Sequence, residues 1–288
     1  MNSTTNDTDT TAPEGQPLLL DQPSPPAKSA KKEDSFPVFL IKLALIVVIF
    51  RSFFFSPFNI PSESMLPRLE NGDYLLAAKW PYGYSRYSLP FSLPLIPGRI
   101  LAHAPERGDV VIFKAPPGND VDYIKRVIGL PGDQIQLVGG QVVLNGQPIP
   151  KQRIEDFEIA VSANTRCLSP QFAASRADGT PVCHYPQFRE TLPGGKSYNV
   201  LDLGVTPQDD TAPVVVPEGH VFLMGDNRDN SMDSRFPAVE GQGIGIVPQA
   251  NLVGRAALMM FSTDGGSSWL LPWTWFSAGR WHRIGGTF

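Results

Sequence analysis

The chain has 288 residues, a formal net charge of −4, 29 prolines and two cysteines. Its length suits one or two domains with a sizeable core, and its proline content predicts few long helices. The acidic balance removes the electrostatic basis for a nucleic-acid partner, so we expect none. Two cysteines and four scattered histidines do not predict a zinc site.

The N-terminal part divides into a polar segment and an apolar one. Residues 1–35 are rich in Ser, Thr, Asp and Pro, which predicts a disordered tail. Residues 36–55 read FPVFLIKLALIVVIFRSFFF, a run long enough to span a bilayer, with Lys42 and Arg51 near its ends. The alternatives are a buried core helix, which is rarely apolar all round, and a cleaved signal peptide, whose A-x-A site residues 56–59 lack. We therefore predict one uncleaved transmembrane helix.

The lysines Lys28, Lys31 and Lys32 lie immediately upstream of this apolar run. By the positive-inside rule, the N-terminus then lies in the cytoplasm and residues 56–288 lie outside it. The sequence thus predicts a single-pass membrane protein with an exported body.

The exported body shows the pattern of β-structure, in which short apolar runs alternate with turn signals. Asn145-Gly146 predicts a type I′ hairpin turn. We predict a mainly β core formed by residues 56–150 and 214–265, with residues 151–213 as an inserted segment of irregular and β-structure. The clearest predicted strands lie at 109–113, 123–128, 134–138, 141–144, 214–216 and 220–224.

The C-terminal segment, residues 266–288, has a different composition. Tryptophan-rich, lysine-poor sequence is typical of a membrane interface, where the ring is half buried and its N–H stays hydrated. The alternative is ordinary packing of this tail on the β core. The segment holds four of the five tryptophans of the chain, namely Trp269, Trp273, Trp275 and Trp281.

Two short segments carry residues suited to nucleophilic catalysis. Ser62 and Ser64 lie between prolines in PSESMLP, where the chain is held extended, although such serines are more often turn or cap residues. Lys125 shares a predicted strand face with apolar residues, and burial there would lower the pKa of its amine and leave a usable base. Because Ile124 and Ile128 line the opposite face, a solvated strand lysine stays an alternative.

A third segment, GDNRDNSMDSR at residues 225–235, is dense in short polar side chains that can bond the backbone and fix a loop. A calcium-binding loop is the alternative, although the spaced glutamate of an EF-hand is missing.

Five short motifs in this chain resemble those of bacterial type I signal peptidases and occur in the same order. They are PSESMLP at 61–67, GDY at 72–74, RGDVVIF at 107–113, YIKRVIGLPGD at 123–133 and GDNRDNSMDSR at 225–235. The resemblance implies a membrane-anchored, β-barrel-like core with an inserted smaller β domain, held at the periplasmic side of the inner membrane. It implies a serine endopeptidase that cuts signal peptides after A-x-A sites through an acyl-enzyme, without metal or organic cofactor. Its implied partners are preprotein signal peptides, the lipid bilayer and the translocation machinery.

The same resemblance assigns roles to individual residues. Ser64 would be the nucleophile, Lys125 its general base, and Ser62 a donor to the oxyanion. Ser231 would orient the lysine amine, and Asp233 with Arg235 would support that loop. The residues expected around shallow pockets for small side chains are Phe58, Ile60, Leu69 and Ile124.

Three features depart from the usual pattern of that family, and the first is the single membrane span, where some members have two. Arg68 stands where a small threonine is usual, and extra glycines lie between Phe236 and Ile244. A Ser/Lys maturation protease dedicated to one secretion or conjugation partner, and a membrane-tethered binding module that does not cut, stay as alternatives. Outside the cytoplasm the cysteines can oxidise, so we also predict a Cys167–Cys183 disulfide that closes a loop in the insertion.

Overall fold

The structure is a computed structural model that describes residues 35–268 and 270–288. The tail predicted to be disordered, residues 1–35, falls outside this range apart from Ser35, as does Trp269. The chain divides into two units, residues 1–41 and 42–288.

Helix α1 (Phe36–Phe53) is the one helix among the described residues that is long and apolar enough to cross a membrane. Its apolar side chains are exposed, which is the opposite of a buried core helix. The helix ends two residues before the predicted boundary at 55. Phe55 already pairs with Ala78 as the first residue of a strand, and that ladder ends the helical backbone.

The body of the protein is mainly β, as predicted, and all six of the clearest predicted runs form strands. In chain order the strands are β1 (Phe55–Asn59), β2 (Asp73–Ala78), β3 (Tyr84–Ser85), β4 (Arg99–Ile100), β5 (Val110–Lys114), β6 (Asp122–Gly129), β7 (Gln134–Val138), β8 (Gln141–Leu144), β9 (Gln147–Pro148), β10 (Lys151–Arg153), β11 (Phe157–Ala160), β12 (Ala173–Ser175), β13 (Pro181–Tyr185), β14 (Gln187–Thr191), β15 (Ser197–Leu201), β16 (Val214–Val215), β17 (His220–Met224), β18 (Val247–Pro248) and β19 (Leu252–Ser262).

The main sheet has the antiparallel order β1-β2-β19-β5-β6-β17-β18 and is an open, curled half-barrel rather than a closed barrel. Register shifts in β19 and β17 interrupt the ladders and bend the sheet. Both faces are buried: Val110 and Ile112 enter one apolar cluster, whereas Val111 and Phe113 enter another. This explains why β5 reads as a continuous apolar run instead of an alternating one.

Smaller sheets extend this core. Strands β16, β7, β8 and β9 form one sheet, and β8 turns into β9 through Asn145 and Gly146, both with positive φ, as the hairpin prediction requires. The inserted segment holds two three-stranded sheets, β10-β14-β15 and β11-β13-β12. A disulfide joins Cys183 on β13 to Cys167, and their Cα atoms are 5.4 Å apart.

The C-terminal tail contains the short helix α2 (Thr274–Ala278) and is pinned to the loop that precedes β2. Arg283 pairs with Asp73 at 2.6 Å and with Glu70 at 2.6 Å, and Arg280 also pairs with Glu70. Trp273, Phe276 and Trp281 are nevertheless exposed. The tail therefore packs on the core and still presents aromatic side chains outward, and its location at a membrane interface stays a prediction.

Candidate active site

The candidate nucleophile lies in the loop that follows edge strand β1. Prolines at positions 61 and 67 bracket this loop, and Asn227 holds it from the facing segment. The backbone N–H of Asn227 donates to the carbonyl of Ser64 at 3.1 Å, and its side-chain amide donates to the carbonyl of Glu63 at 3.1 Å. Two hydrogen bonds from one residue thus fix the backbone on which the Ser64 hydroxyl stands.

Lys125 lies in the middle of the interior strand β6, and its side chain reaches Ser64. Its Nζ donates to Ser64 Oγ at 2.7 Å and to the carbonyl of Ile124 at 3.0 Å. The residue is only 4% exposed. Burial lowers the pKa of Lys125 from 10.5 to about 8, against the opposing effect of Asp233 and Asp226. About a tenth of the amine is therefore neutral at pH 7, several hundredfold more than for a lysine with the ordinary pKa of 10.5, and this supplies the base.

Two further serines face the same space. Ser62 Oγ lies 3.4 Å from Ser64 Oγ. Ser231 Oγ is buried and has no hydrogen-bond partner among the described residues. Gly225 lets these groups approach, because a Cβ there would lie 2.3 Å from Ser231 Oγ and 2.5 Å from the carbonyl oxygen of Ser64. Sequence reasoning did not single out this glycine, because only the close packing of distant segments requires it.

Asp233 and Arg235 form a buried ion pair at the end of the 225–235 loop. Asp233 Oδ1 accepts from Arg235 Nε at 2.9 Å, and Asp233 Oδ2 accepts from the backbone N–H of Gly225 at 3.1 Å. Arg235 also donates to the carbonyl of Arg228. The pair joins the two ends of the 225–235 loop, and its charges neutralise each other inside the protein.

Two other buried ion pairs were missed by the sequence reasoning. Arg126 donates to both carboxylate oxygens of Asp226, at 2.7 and 2.6 Å. Arg228 donates to both oxygens of Glu190 on β14, at 2.7 and 2.5 Å. The second pair ties the loop to the inserted segment across 38 positions of sequence, a distance at which no local pattern would have signalled it.

Among the carboxylate oxygens of the 225–235 loop, all except the buried Oδ1 of Asp229 are already engaged. Asp226 and Asp233 face arginines, and Asp229 accepts from the backbone N–H groups of Leu203 and Gly204. Within the described residues no group of three or more His, Cys, Asp or Glu could hold a metal ion. The alternative of a calcium loop is therefore disfavoured by how its own oxygens are used.

The cleft above Ser64 and Lys125 has a volume of about 820 Å³. Of the four predicted pocket residues, Phe58, Ile60 and Ile124 line it, whereas Leu69 is fully buried in the cluster that contains Ile60 and supports it from below. The side chains that sequence reasoning did not identify lie on β6 and the facing loop. Among them are Val121, just before β6, with Asp122, Tyr123, Met232, Phe236 and Gln242.

Comparison with known proteins gives a consistent result. The family model for signal peptidases, peptidase S26, matches residues 34–261. The chain is 36% identical over 245 residues to a signal peptidase I of Rickettsia typhi, covering 82% of each protein. It is 38% identical over 245 residues to that of Rickettsia massiliae, covering 82% of this chain and 81% of the relative. A signal peptidase I structure from Enterococcus faecalis shares 25% identity and covers 54% of this chain and 98% of its own, with a TM-score of only 0.28.

Proposed function

Because the chain belongs to the signal peptidase family, peptidase S26, and is thus a serine endopeptidase, we propose that it removes N-terminal signal peptides from exported preproteins. Ser64 acts as nucleophile and Lys125 as its general base. The observation that carries this proposal is the 2.7 Å contact between Lys125 Nζ and Ser64 Oγ inside a substrate-sized cleft. A serine hydroxyl is a weak nucleophile until a neighbouring base takes its proton.

The reaction needs one base that works twice. The neutral amine of Lys125 takes the hydroxyl proton while Ser64 Oγ attacks the scissile carbonyl carbon, and the ammonium then protonates the leaving amine nitrogen. The peptide bond breaks and an ester to Ser64 is left. The amine next takes a proton from the water that attacks the ester carbonyl carbon. The ammonium returns this proton to Ser64 Oγ as the acyl C–O bond breaks, so the peptide acid leaves and both Ser64 and Lys125 are restored. Burial supports this cycle because it keeps the pKa of Lys125 near 8.

The oxyanion formed in each step carries a full negative charge that water would otherwise solvate. Ser62 Oγ, 3.4 Å from Ser64 Oγ, is within reach of an oxygen on the attacked carbon. We assign the Ser62 hydroxyl and the backbone N–H of Ser64 as its donors. We assign to Ser231 the orienting of the Lys125 amine during the reaction, because its buried hydroxyl lines the cleft and has no other hydrogen-bond partner among the described residues. We assign to the Asp233–Arg235 pair the support of the loop that carries Ser231.

Substrate choice follows from the apolar wall of the cleft. Phe58, Ile60 and Ile124 present side chains that leave shallow space beside Ser64, and Leu69 packs beneath them. Such a wall accepts alanine-sized side chains and excludes larger ones by overlap, which selects an A-x-A cleavage site.

Helix α1 anchors the enzyme in the inner membrane, with the N-terminus in the cytoplasm and the body on the periplasmic side. The exposed aromatic side chains of the 266–288 tail, among them Trp273 and Phe276, suit the bilayer interface. Chain length supports this placement, because only one five-residue strand and a short loop separate α1 from Ser64. The preprotein would reach this site as it leaves the translocation machinery.

The test uses the full chain in detergent with a preprotein substrate. Ser64→Ala and Lys125→Ala are expected to abolish cleavage, whereas Ser175→Ala, on the exposed strand β12, keeps it. A serine-reactive lactam should add its mass at Ser64. Near-normal cleavage by either active-site variant, or an adduct elsewhere, would refute the dyad. Several unrelated preproteins should be cut at similar rates, and cleavage of one alone would indicate a dedicated maturation protease.

A further inference from the structure

An exposed apolar hairpin lies between β2 and β5. Its base is the short ladder of β3 and β4, and we call residues 84–101 the 84–101 hairpin. Phe91 is 96% exposed and Leu95 is 73% exposed, and Leu93 is also exposed. Single exposed apolar side chains are common on proteins, but a run of them on one protruding segment marks a contact surface.

The base of this hairpin is firmly held. The Arg99 guanidinium donates to carbonyl oxygens on two sides of the base, and this joins the hairpin to the turn before β19. Its acceptors are the carbonyls of Tyr82, Gly83, Gln249, Ala250 and Leu252. The exposed tip therefore belongs to a segment whose base is fixed to the rest of the protein.

Backbone conformation supports a role for the tip. Phe91 and Ser92 have φ values of 57° and 53°, in the left-handed region that costs a non-glycine residue about 1 kcal/mol or more. The chain accepts this cost at two successive positions while leaving the Phe91 ring outside the core. Strain of this kind is typical of segments that serve a function.

Position and charge identify the partner. Tyr84 at the base donates its hydroxyl to the carbonyl of Phe53 at 3.1 Å, and the two rings are 5.2 Å apart. The hairpin thus starts beside the end of α1. From Tyr74 to Pro105 the sequence contains no aspartate or glutamate, and the hairpin exposes the cationic side chain of Arg86. Apolar, acid-free and cationic surface fits a lipid headgroup region better than a protein partner.

We propose that the tip of the 84–101 hairpin inserts into the bilayer as a second attachment beside α1. The proposal rests on the membrane anchorage given under the proposed function. One helix by itself leaves the exported body free to rotate about the helix axis, and the aromatic tail of residues 266–288 is proposed to touch only the bilayer interface. Insertion of the hairpin tip beside α1 removes that freedom and holds the Ser64 cleft at a fixed orientation to the membrane.

The test reads the environment of the tip directly. The full chain carrying Phe91→Cys, with its Cys167–Cys183 disulfide intact, is labelled with an environment-sensitive fluorophore and reconstituted in phosphatidylcholine vesicles. We expect a blue shift and quenching by lipids brominated in the acyl chain. Val205→Cys is the matched control, because Val205 is 99% exposed but lies in the inserted segment among aspartates. A tip label that stays as hydrated as the control overturns the proposal, in these vesicles and in ones containing phosphatidylglycerol.

A kinetic measurement separates this proposal from the proposed function. Phe91→Ser/Leu95→Ser should cleave a short soluble peptide at the unmodified rate and a vesicle-inserted preprotein about tenfold more slowly or worse. Equal rates on both substrates would contradict an orienting role for the tip. Failure of the unmodified chain to cut either substrate would instead refute the proposed function, while the fluorescence result would still report on the hairpin.

Discussion

The two consecutive cations of β6 are equally buried and are treated in opposite ways by the structure. Lys125 and Arg126 are each 4% exposed. Burial lowers the pKa of both, but the Asp226 carboxylate raises that of Arg126 above its ordinary value, whereas Lys125 falls to about 8. The difference lies in the partner. Arg126 donates to both oxygens of the Asp226 carboxylate and to the carbonyl of Gly108, whereas Lys125 donates to a hydroxyl and a carbonyl.

The same division continues in the 225–235 loop. Arg228 and Asp233 lie away from the cleft and are fully paired, while Ser231 between them turns an unpaired hydroxyl into it. Pairing makes a buried charge part of the scaffold, and withholding a partner keeps a group available for chemistry. In both segments, the side chains paired with an opposite charge support the structure, and the side chains without such a partner, Lys125 and Ser231, remain available for the reaction.

The contrast between Lys125 and Arg126 is tested most strongly by replacing each cation with methionine. Lys125→Met should lower kcat by about 10⁴-fold or more, because the base is lost. It should also stabilise the fold by about 3 kcal/mol below pH 8, since the folded-state pKa lies 2.5 units under 10.5. That gain should vanish as pH rises from 8 to 10.5, where the unfolded lysine also becomes neutral.

Arg126→Met is the matched control for this substitution. It leaves the Asp226 carboxylate buried and unpaired, and should cost about 3–5 kcal/mol in the free energy of unfolding. Denaturant unfolding of both variants across pH 6–11 measures the contrast. A Lys125→Met protein less stable than the parent at pH 7 would show that Lys125 is part of the scaffold after all.

The second prediction concerns the pair that joins the loop to the inserted segment. Arg228→Met or Glu190→Met alone should destabilise the protein by about 3–5 kcal/mol, because each leaves its partner's charge buried. The double variant should lose less than either single one, since no lone charge remains. Denaturant unfolding of the four proteins completes the cycle. Additive losses would mean that the two residues act independently despite their 2.5 Å contact.

How far the sequence could predict the site depends on how local each signal is. Ser62, Ser64 and Lys125 stand in short motifs, and strands β5 to β8 follow from apolar runs and turn residues. Glu190 lies in an inserted segment, and nothing in its neighbourhood indicates that it meets Arg228.

Leu69 shows a second limit of predicting the site from sequence. It follows Pro67 in a loop, where neither strand nor helix period sets the direction of a side chain, so only packing places it beneath the cleft. The end of α1 is a similar case. The apolar run continues to residue 55, but the pairing of β1 with β2 decides where the helix stops.

The third prediction returns to the unpaired groups of the cleft. Ser62→Ala should lower kcat by about 10²-fold with little change in KM, because its hydroxyl acts on the charge of the transition state. Ser62→Thr keeps a hydroxyl and should recover part of the rate. Steady-state kinetics with a peptide substrate gives both values. A rise in KM at constant kcat would assign Ser62 to substrate binding instead.

The smallest expected effect is the pH profile, and it decides which lysine is the base. Below about pH 8, kcat/KM should rise tenfold per unit as Lys125 loses its proton, and then level off. Lys79 is a rival, because burial lowers its pKa to about 8 as well. Its Nζ lies over the Phe58 ring at 5.7 Å, and the contact to Ser64 belongs to Lys125. Lys79→Met should therefore leave the inflection of kcat/KM near pH 8 in place. Loss of this inflection in the variant would assign the titrating group to Lys79 instead of Lys125.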